Sequence, residues 1–266
     1  MVTPARGALH DRDSLSWRFN SQSFVLLGGP RAAILQVCDP GVAAGVAEFS
    51  SYRTDPFGRL ERTLESMLAI GFGSPERRRE VLDRLERIHS AVQGQLDDGT
   101  PYSALDPQRQ YWVLATLTDT VIEVDRRYLG YMKRRHRAAY FEESKAVANA
   151  FGIPDRLVPD DYDEFREYFS DMVATLVPSE QSREVAETLI HPRVRYVPGF
   201  AWLPFSAVTA ELLPTRIRRE LGVRDLNRAE LAAVRGAQLS MRNSLAHLAS
   251  GAVANPLNAR AIRSAA

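Results

Sequence analysis

The sequence predicts an all-α fold, a single multi-helix domain, and three observations carry that prediction. Apolar residues recur three and four positions apart along most segments, the spacing that gives a helix one buried face. The segments open on helix-capping pairs such as Asp55-Pro56, Ser74-Pro75 and Asp106-Pro107. No alternating run joined by a tight turn offers a convincing strand pair or hairpin. The expected domain covers residues 14–250, between a disordered lead-in over 1–13 and a flexible tail over 251–266.

Ser14 to Ser23 is polar with embedded Trp17 and Phe19, and Gly28-Gly-Pro30 breaks the chain before a short helix over Arg31 to Cys38. Asp39-Pro40 ends that helix and starts the next, Gly41 to Ser50, whose small residues allow close approach. From Phe57 to about Gly71, Leu60, Leu64, Met67, Leu68 and Ile70 recur at helical spacing. Gly71-Phe-Gly-Ser-Pro75 interrupts, and Ser74-Pro75-Glu76 caps a helix with Val81, Leu82, Leu85, Ile88, His89, Val92 and Leu96 on one stripe, ending at Asp97-Asp-Gly-Thr-Pro101. Asp106-Pro107 caps a long helix that is expected to continue through Tyr128 to a solvated basic end, Lys133-Arg-Arg-His-Arg137. Further helices are expected over Ala139–Phe151, Asp160–Leu176, Ser179–Leu189, Pro204–Leu221 and Arg228–Leu248.

Composition narrows the function classes. Of 266 residues 45% are hydrophobic, enough for a substantial core, and 34 basic against 33 acidic residues leave a net charge of +1. No overall field draws the chain to nucleic acid or an anionic surface. One cysteine, Cys38, excludes an intrachain disulfide framework and any multi-cysteine metal site within one chain. Met1 to Asp13 lacks the apolar core of a signal peptide, and no apolar stretch approaches the roughly 20 residues of a transmembrane segment, so a cytoplasmic protein is expected. Lys133 and Lys145 are the only lysines. The remaining basic residues are arginine, the bias of a GC-rich bacterial genome.

The signatures of phosphoryl transfer, dinucleotide binding, serine hydrolysis and zinc proteolysis are missing. The histidines, His10, His89, His136, His191 and His247, are scattered, so a site needing one protein ligand is easier to build than a multi-histidine one. His89 stands out because it takes an apolar place in Leu82–Leu85–His89–Val92–Leu96, pointing its imidazole at the core. Either it is a core histidine bonded to a backbone carbonyl, or it ligates iron, for which neutral imidazole is well suited. Arg59, Arg62 and Thr63 stand at i, i+3 and i+4, so all three can face one site. They make either a solvated face with Glu61 and Glu65 or a polar corner that stabilises developing negative charge. Cys38 reads as a small buried apolar residue, His191 as part of a loop, and Asp119, Glu123 and Asp125 as partners of neighbouring arginines.

Taken in order, Asp39-Pro-Gly-Val-Ala-Ala-Gly-Val46, Asp55-Pro-Phe-Gly-Arg-Leu-Glu-Arg-Thr63, Arg87-Ile-His-Ser-Ala-Val-Gln-Gly94, Leu105-Asp-Pro107 with Tyr111-Trp-Val-Leu-Ala-Thr-Leu117, Phe151-Gly-Ile-Pro154 and Leu212 to Gly222 resemble the DUF2236 family, the MpaB-like oxygenases and latex-clearing rubber oxygenases. The resemblance covers roughly residues 15–225. It implies a b-type haem in a globin-like helical core, with His89 as proximal iron ligand and Arg59 and Thr63 lining the pocket. Arg62 stands where the rubber-cleaving branch has a lysine. The implied activity is haem-dependent oxygenation of an apolar, unsaturated small molecule by dioxygen, with an electron donor as a further partner. Asp39, Phe49 and Leu114 depart from histidines common in relatives, and Glu48 is the nearest counterpart of the rubber oxygenases' glutamate. A haem-binding sensor or carrier without turnover, and an apo helical interaction protein, are the alternatives.

Overall fold

The structure, a computed structural model, describes residues 6–20, 23–49, 56–191 and 202–248. The expected tail over 251–266 lies outside them. The described chain is helical apart from one short hairpin. Helices α1 (Leu15–Asn20), α2 (Gly29–Gln36), α3 (Pro40–Phe49), α4 (Pro56–Phe72) and α5 (Pro75–Ser90) precede strands β1 (Gln93–Gln95) and β2 (Pro101–Ser103). There follow α6 (Pro107–Val124), α7 (Arg134–Ala150), α8 (Tyr162–Thr175), α9 (Glu180–Ile190), α10 (Leu203–Leu212), α11 (Thr215–Glu220) and α12 (Arg228–Leu248).

The expected caps form. Ser74 Oγ accepts from Arg77 N at 3.2 Å and Asp106 Oδ1 from Gln108 N at 2.9 Å, with proline in the first turn of each helix. Helix α6 runs through the middle of the protein, burying Tyr111, Trp112, Leu114, Thr116, Val121 and Val124 among others. Its Trp112 donates Nε1–H to Leu35 O at 3.1 Å, and Phe141, Phe165 and Phe169 pack around it, the first two stacked at 4.7 Å. Helix α2 lies along α6, and the apolar pair formed by residues 26–36 and α3 folds back on itself by 107°. Among the described residues no single helix is long and apolar enough to cross a membrane.

A charged clamp fastens this layer. Arg31, 2% exposed, donates Nε to Leu212 O at 2.9 Å, Nη1 to Thr120 Oγ1 at 2.5 Å and Nη2 to Asp119 Oδ2 at 2.5 Å. Arg166 covers the other oxygen of Asp119 at 2.5 Å. Each nitrogen of the Arg31 guanidinium thus donates once and both Asp119 oxygens accept, the kind of pairing that lets a buried charge be tolerated.

Four expectations are corrected. The helix carrying His89 stops at Ser90, not Leu96, and the chain turns into a hairpin pairing Gly94 with Tyr102. Val92 and Leu96 had continued the helical spacing, but Gly94 weakens a helix, and a side chain there would meet Tyr102 at 2.9 Å. Gly99, at φ +83°, makes the turn. The long helix α6 ends at Val124 in a π turn over Asp125–Leu129, closed by Gly130 at φ +74°. Asp125 then accepts from Tyr131 N at 3.1 Å and Met132 N at 2.8 Å, replacing the helical bonds. The basic run 133–137 therefore opens α7 rather than ending α6. The segment 204–221 is two helices because Pro214 cannot continue the first. Residues 6–13 of the expected lead-in are part of the fold: His10 N donates to Gly71 O at 3.1 Å, and its ring meets Phe72 edge-on.

Candidate functional site

Helices α1, α2, α4, α6 and α7 leave a partly open cavity of about 220 Å³ between them. Leu64, Met67, Leu68 and Phe72 of α4, Ala32 and Ala33 of α2, and Leu114, Leu117 and Val121 of α6 give it a mostly apolar wall. Both the glycine-rich turn Gly28–Pro30 and the helix below it contribute. A side chain at Gly28 would come within 2.3 Å of Thr120 Cγ2, so only glycine lets this turn close against α6. The polar members are His10, Ser16, Asn20, Gln36, Thr63, Thr118, Thr120, Tyr140 and Ser144. Several have hydrogen-bond partners: Asn20 Nδ2 donates to the Tyr140 hydroxyl at 3.2 Å, Gln36 Nε2 to Thr116 Oγ1 at 3.1 Å, and Ser144 Oγ to Phe141 O at 2.6 Å.

Helix α4 supplies one long side of this space, with Thr63 at one end and Gly71 and Phe72 at the other. Helix α5 returns beside it after a two-residue connection. The register between the two is marked by Arg84, whose Nη2 donates to Ser66 Oγ at 3.1 Å. His89, five residues and about 7.5 Å beyond Arg84, therefore reaches the level of the Arg59–Thr63 turn on α4.

Of the expected site residues, Thr63 lines the cavity and is solvent-exposed. Arg62 is exposed, and its carbonyl accepts from Ser66 Oγ at 2.8 Å. Arg59 belongs to α4 by its backbone, while its side chain lies outside the described residues. His89 is half-buried at the last turn of α5 and is not part of the cavity wall. Among the described residues neither of its ring nitrogens has a hydrogen-bond partner, so the carbonyl-bonded core histidine is not what the structure contains. Burial lowers its pKa and no charged neighbour shifts it, so the ring is a neutral imidazole. Ile88 beside it is 53% exposed, contrary to its expected place in the buried stripe.

The departing positions have other duties. Asp39 Oδ1 accepts from Val42 N at 2.9 Å and from Arg109 Nε at 3.1 Å, starting α3 and tying it to α6. Glu48 Oε2 accepts from the Tyr102 hydroxyl at 2.8 Å, Phe49 is 47% exposed, and Leu114 sits in the cavity wall. Cys38 is fully buried, donates to Ile34 O at 3.2 Å, and its thiol is pushed up to about 12 by burial, as befits a core residue. Asp119 and Glu123 do pair with arginines, whereas Asp125 caps backbone. His191 is exposed at the end of α9, and the loop beyond it lies outside the described residues. Sequence reasoning passed over His10, whose only signal was a histidine in a short segment that looked unstructured.

The family description "ER-bound oxygenase mpaB/B'/Rubber oxygenase, catalytic domain" matches residues 17–243. The chain belongs to this oxygenase family. Uncharacterized proteins of Mycobacterium bovis and Mycobacterium tuberculosis are each 24% identical to it over 176 residues, 65% of this chain. The match spans 66% of each relative's length. No solved structure matches the chain significantly. Membership of the mpaB/rubber oxygenase family makes the chain an oxygenase-type enzyme domain, and its match encloses α2 to α11, most of the frame of the cavity, leaving out His10 and Ser16.

Proposed function

We propose that this chain is a haem b-dependent oxygenase that uses dioxygen to oxidise or cleave an apolar, unsaturated small molecule. The observation that carries the reading is His89: a neutral, half-buried imidazole without a hydrogen-bond partner among the described residues, level with the Arg59–Thr63 turn and beside an exposed Ile88. The donor set fits the group. Among the described residues no three His, Cys, Asp or Glu side chains gather, so a cofactor bringing its own donors suits this chain better than a bare ion. His89 would hold the iron, and Arg59 and Thr63 would form the polar edge.

Haem supplies, when bound, an iron at which dioxygen is activated. The chain's own part is placement and solvent exclusion. The apolar wall of Leu64, Met67, Leu114 and Leu117 binds hydrocarbon and keeps water from it. Thr63 offers a hydroxyl, and Arg59 and Arg62 offer permanent positive charge, where negative charge develops on oxygen. Arg62, always protonated, does not coordinate iron as a lysine can.

The test is the absorption spectrum with haem and iron quantitation, for wild type and His89→Ala expressed with haem precursor. One haem per chain, lost in the variant, is expected. Full loading of the variant with an unchanged spectrum removes His89 as ligand, and a folded, colourless wild type removes the cofactor. A second reading, a haem carrier without turnover, draws on Asp39, which is committed to Arg109 and Val42 at a position where the family resemblance leads one to expect histidine. Dioxygen consumption with reductant and polyene substrates separates the two.

A further inference from the structure

The end of the cavity away from Thr63 is not apolar. His10 is 6% exposed and lines the space there, beside Gly71 and Phe72. Its backbone is held by Gly71 and its ring by Phe72, 5.9 Å between centroids. The ring nitrogens have no hydrogen-bond partner among the described residues. An imidazole that lines a cavity in this state has a donor and an acceptor to offer to whatever occupies it.

The nearest charges decide what that something is. Glu143 and Asp11 both act on His10, and burial outweighs them, leaving the ring neutral. The Glu143 carboxylate is itself held by Leu15 N at 3.0 Å and Ser16 N at 2.6 Å, so it stays in place as a fixed negative charge. A carboxylate or phosphate brought to this end would enter the field of the two like charges that act on His10. A neutral imidazole beside two carboxylates suits a hydroxyl or carbonyl, to which it can donate or from which it can accept.

From these contacts we propose that the cavity binds an elongated apolar molecule ending in a neutral hydroxyl or carbonyl group, and that His10 is the residue that reads that end. The ligand would lie along α4, with its polar terminus at His10 and its hydrocarbon part toward Thr63. Eight residues separate Thr63 from Gly71, so this run of helix is about 12 Å long. As substrate recognition, the proposal rests on the oxygenase reading above. As ligand binding, it stands without haem.

The experiment is calorimetric titration of the full chain, at pH 7.5, with 1-decanol, decanoate and n-butylbenzene, the ten-carbon chain being about as long as that ~12 Å run. Wild type, His10→Phe and His10→Gln are compared, with haem content read separately by absorbance. Decanol is expected to bind wild type at least several-fold more tightly than decanoate does. His10→Phe should weaken decanol by roughly three- to tenfold, the worth of one net hydrogen bond, while n-butylbenzene changes by less than about twofold. His10→Gln should recover part of the loss. Butylbenzene binding reports that each variant still has its cavity. Equal decanol affinity in wild type and His10→Phe, or decanoate binding as well as decanol, overturns the proposal. A colourless protein that shows the decanol preference sinks the haem reading alone, and a haem-loaded protein without the preference sinks this one alone.

Discussion

Arg84 on α5 donates to Ser66 on α4 at 3.1 Å, and Ser66 in turn donates to Arg62 O at 2.8 Å, so one hydroxyl joins the His89 helix to the Arg59–Thr63 turn. Ser66→Ala removes both bonds and should cost about 0.5–1.5 kcal/mol of stability per bond. If the haem reading holds, it should also speed haem release to an acceptor protein several-fold, because His89 and Thr63 lose their common register. Unchanged release with the expected stability loss would show that the pair serves the fold only.

Asp119 accepts from buried Arg31 and from Arg166, which is 48% exposed. Asp119→Ala leaves the Arg31 guanidinium buried without its carboxylate, for an expected loss of about 3–5 kcal/mol. Arg166→Ala, removing a partner that water can replace, should cost no more than about 1 kcal/mol. Urea midpoints at constant slope measure both. Similar losses for the two variants would mean that Arg31 does not depend on Asp119.

Stability should fall on acidification through histidine burial. His10 and His89 have depressed pKa values in the fold, chiefly from desolvation. Below the ordinary histidine value of about 6.5 the unfolded chain takes up protons that the folded chain refuses, so stability declines as pH drops, and these groups contribute no slope above it. Melting temperatures from pH 7.5 to 5.5 should show the decline, and His10→Phe should shallow it. An equally steep decline in that variant assigns it to other groups.

Cys38 should not react with an aromatic disulfide reagent in the native protein at pH 8, because burial both blocks it and holds it as the thiol. One equivalent should appear in denaturant. Rapid native labelling would contradict the placement of α2 against α6.

The helices were legible wherever periodicity and a cap agreed. Ser74-Pro75 and Asp106-Pro107 start α5 and α6 where expected because each combines a side-chain acceptor with a proline that needs no donor. Two of the misread boundaries depend on contacts rather than on local composition. Val92 and Leu96 keep helical spacing by coincidence, while beyond Ser90 the chain pairs Gly94 with Tyr102 in a hairpin, a cross-strand contact that apolar periodicity does not encode. The π turn at Asp125 likewise depends on a buried carboxylate finding Tyr131 and Met132. At the site, His89 was legible as a polar break in an apolar stripe. His10 was not, since a lone histidine in a polar segment carries no pattern, and only Gly71, some sixty residues on, gives it a place.

The Glu143 carboxylate receives the first amides of α1 across 128 residues of sequence. On a ribosome, Leu15 and Ser16 emerge long before the acid that holds them, so the start of α1 lacks this anchor while five later helices are made, although the His10 segment ahead of it can already meet Gly71 on α4. The segment synthesised early is thus seated late.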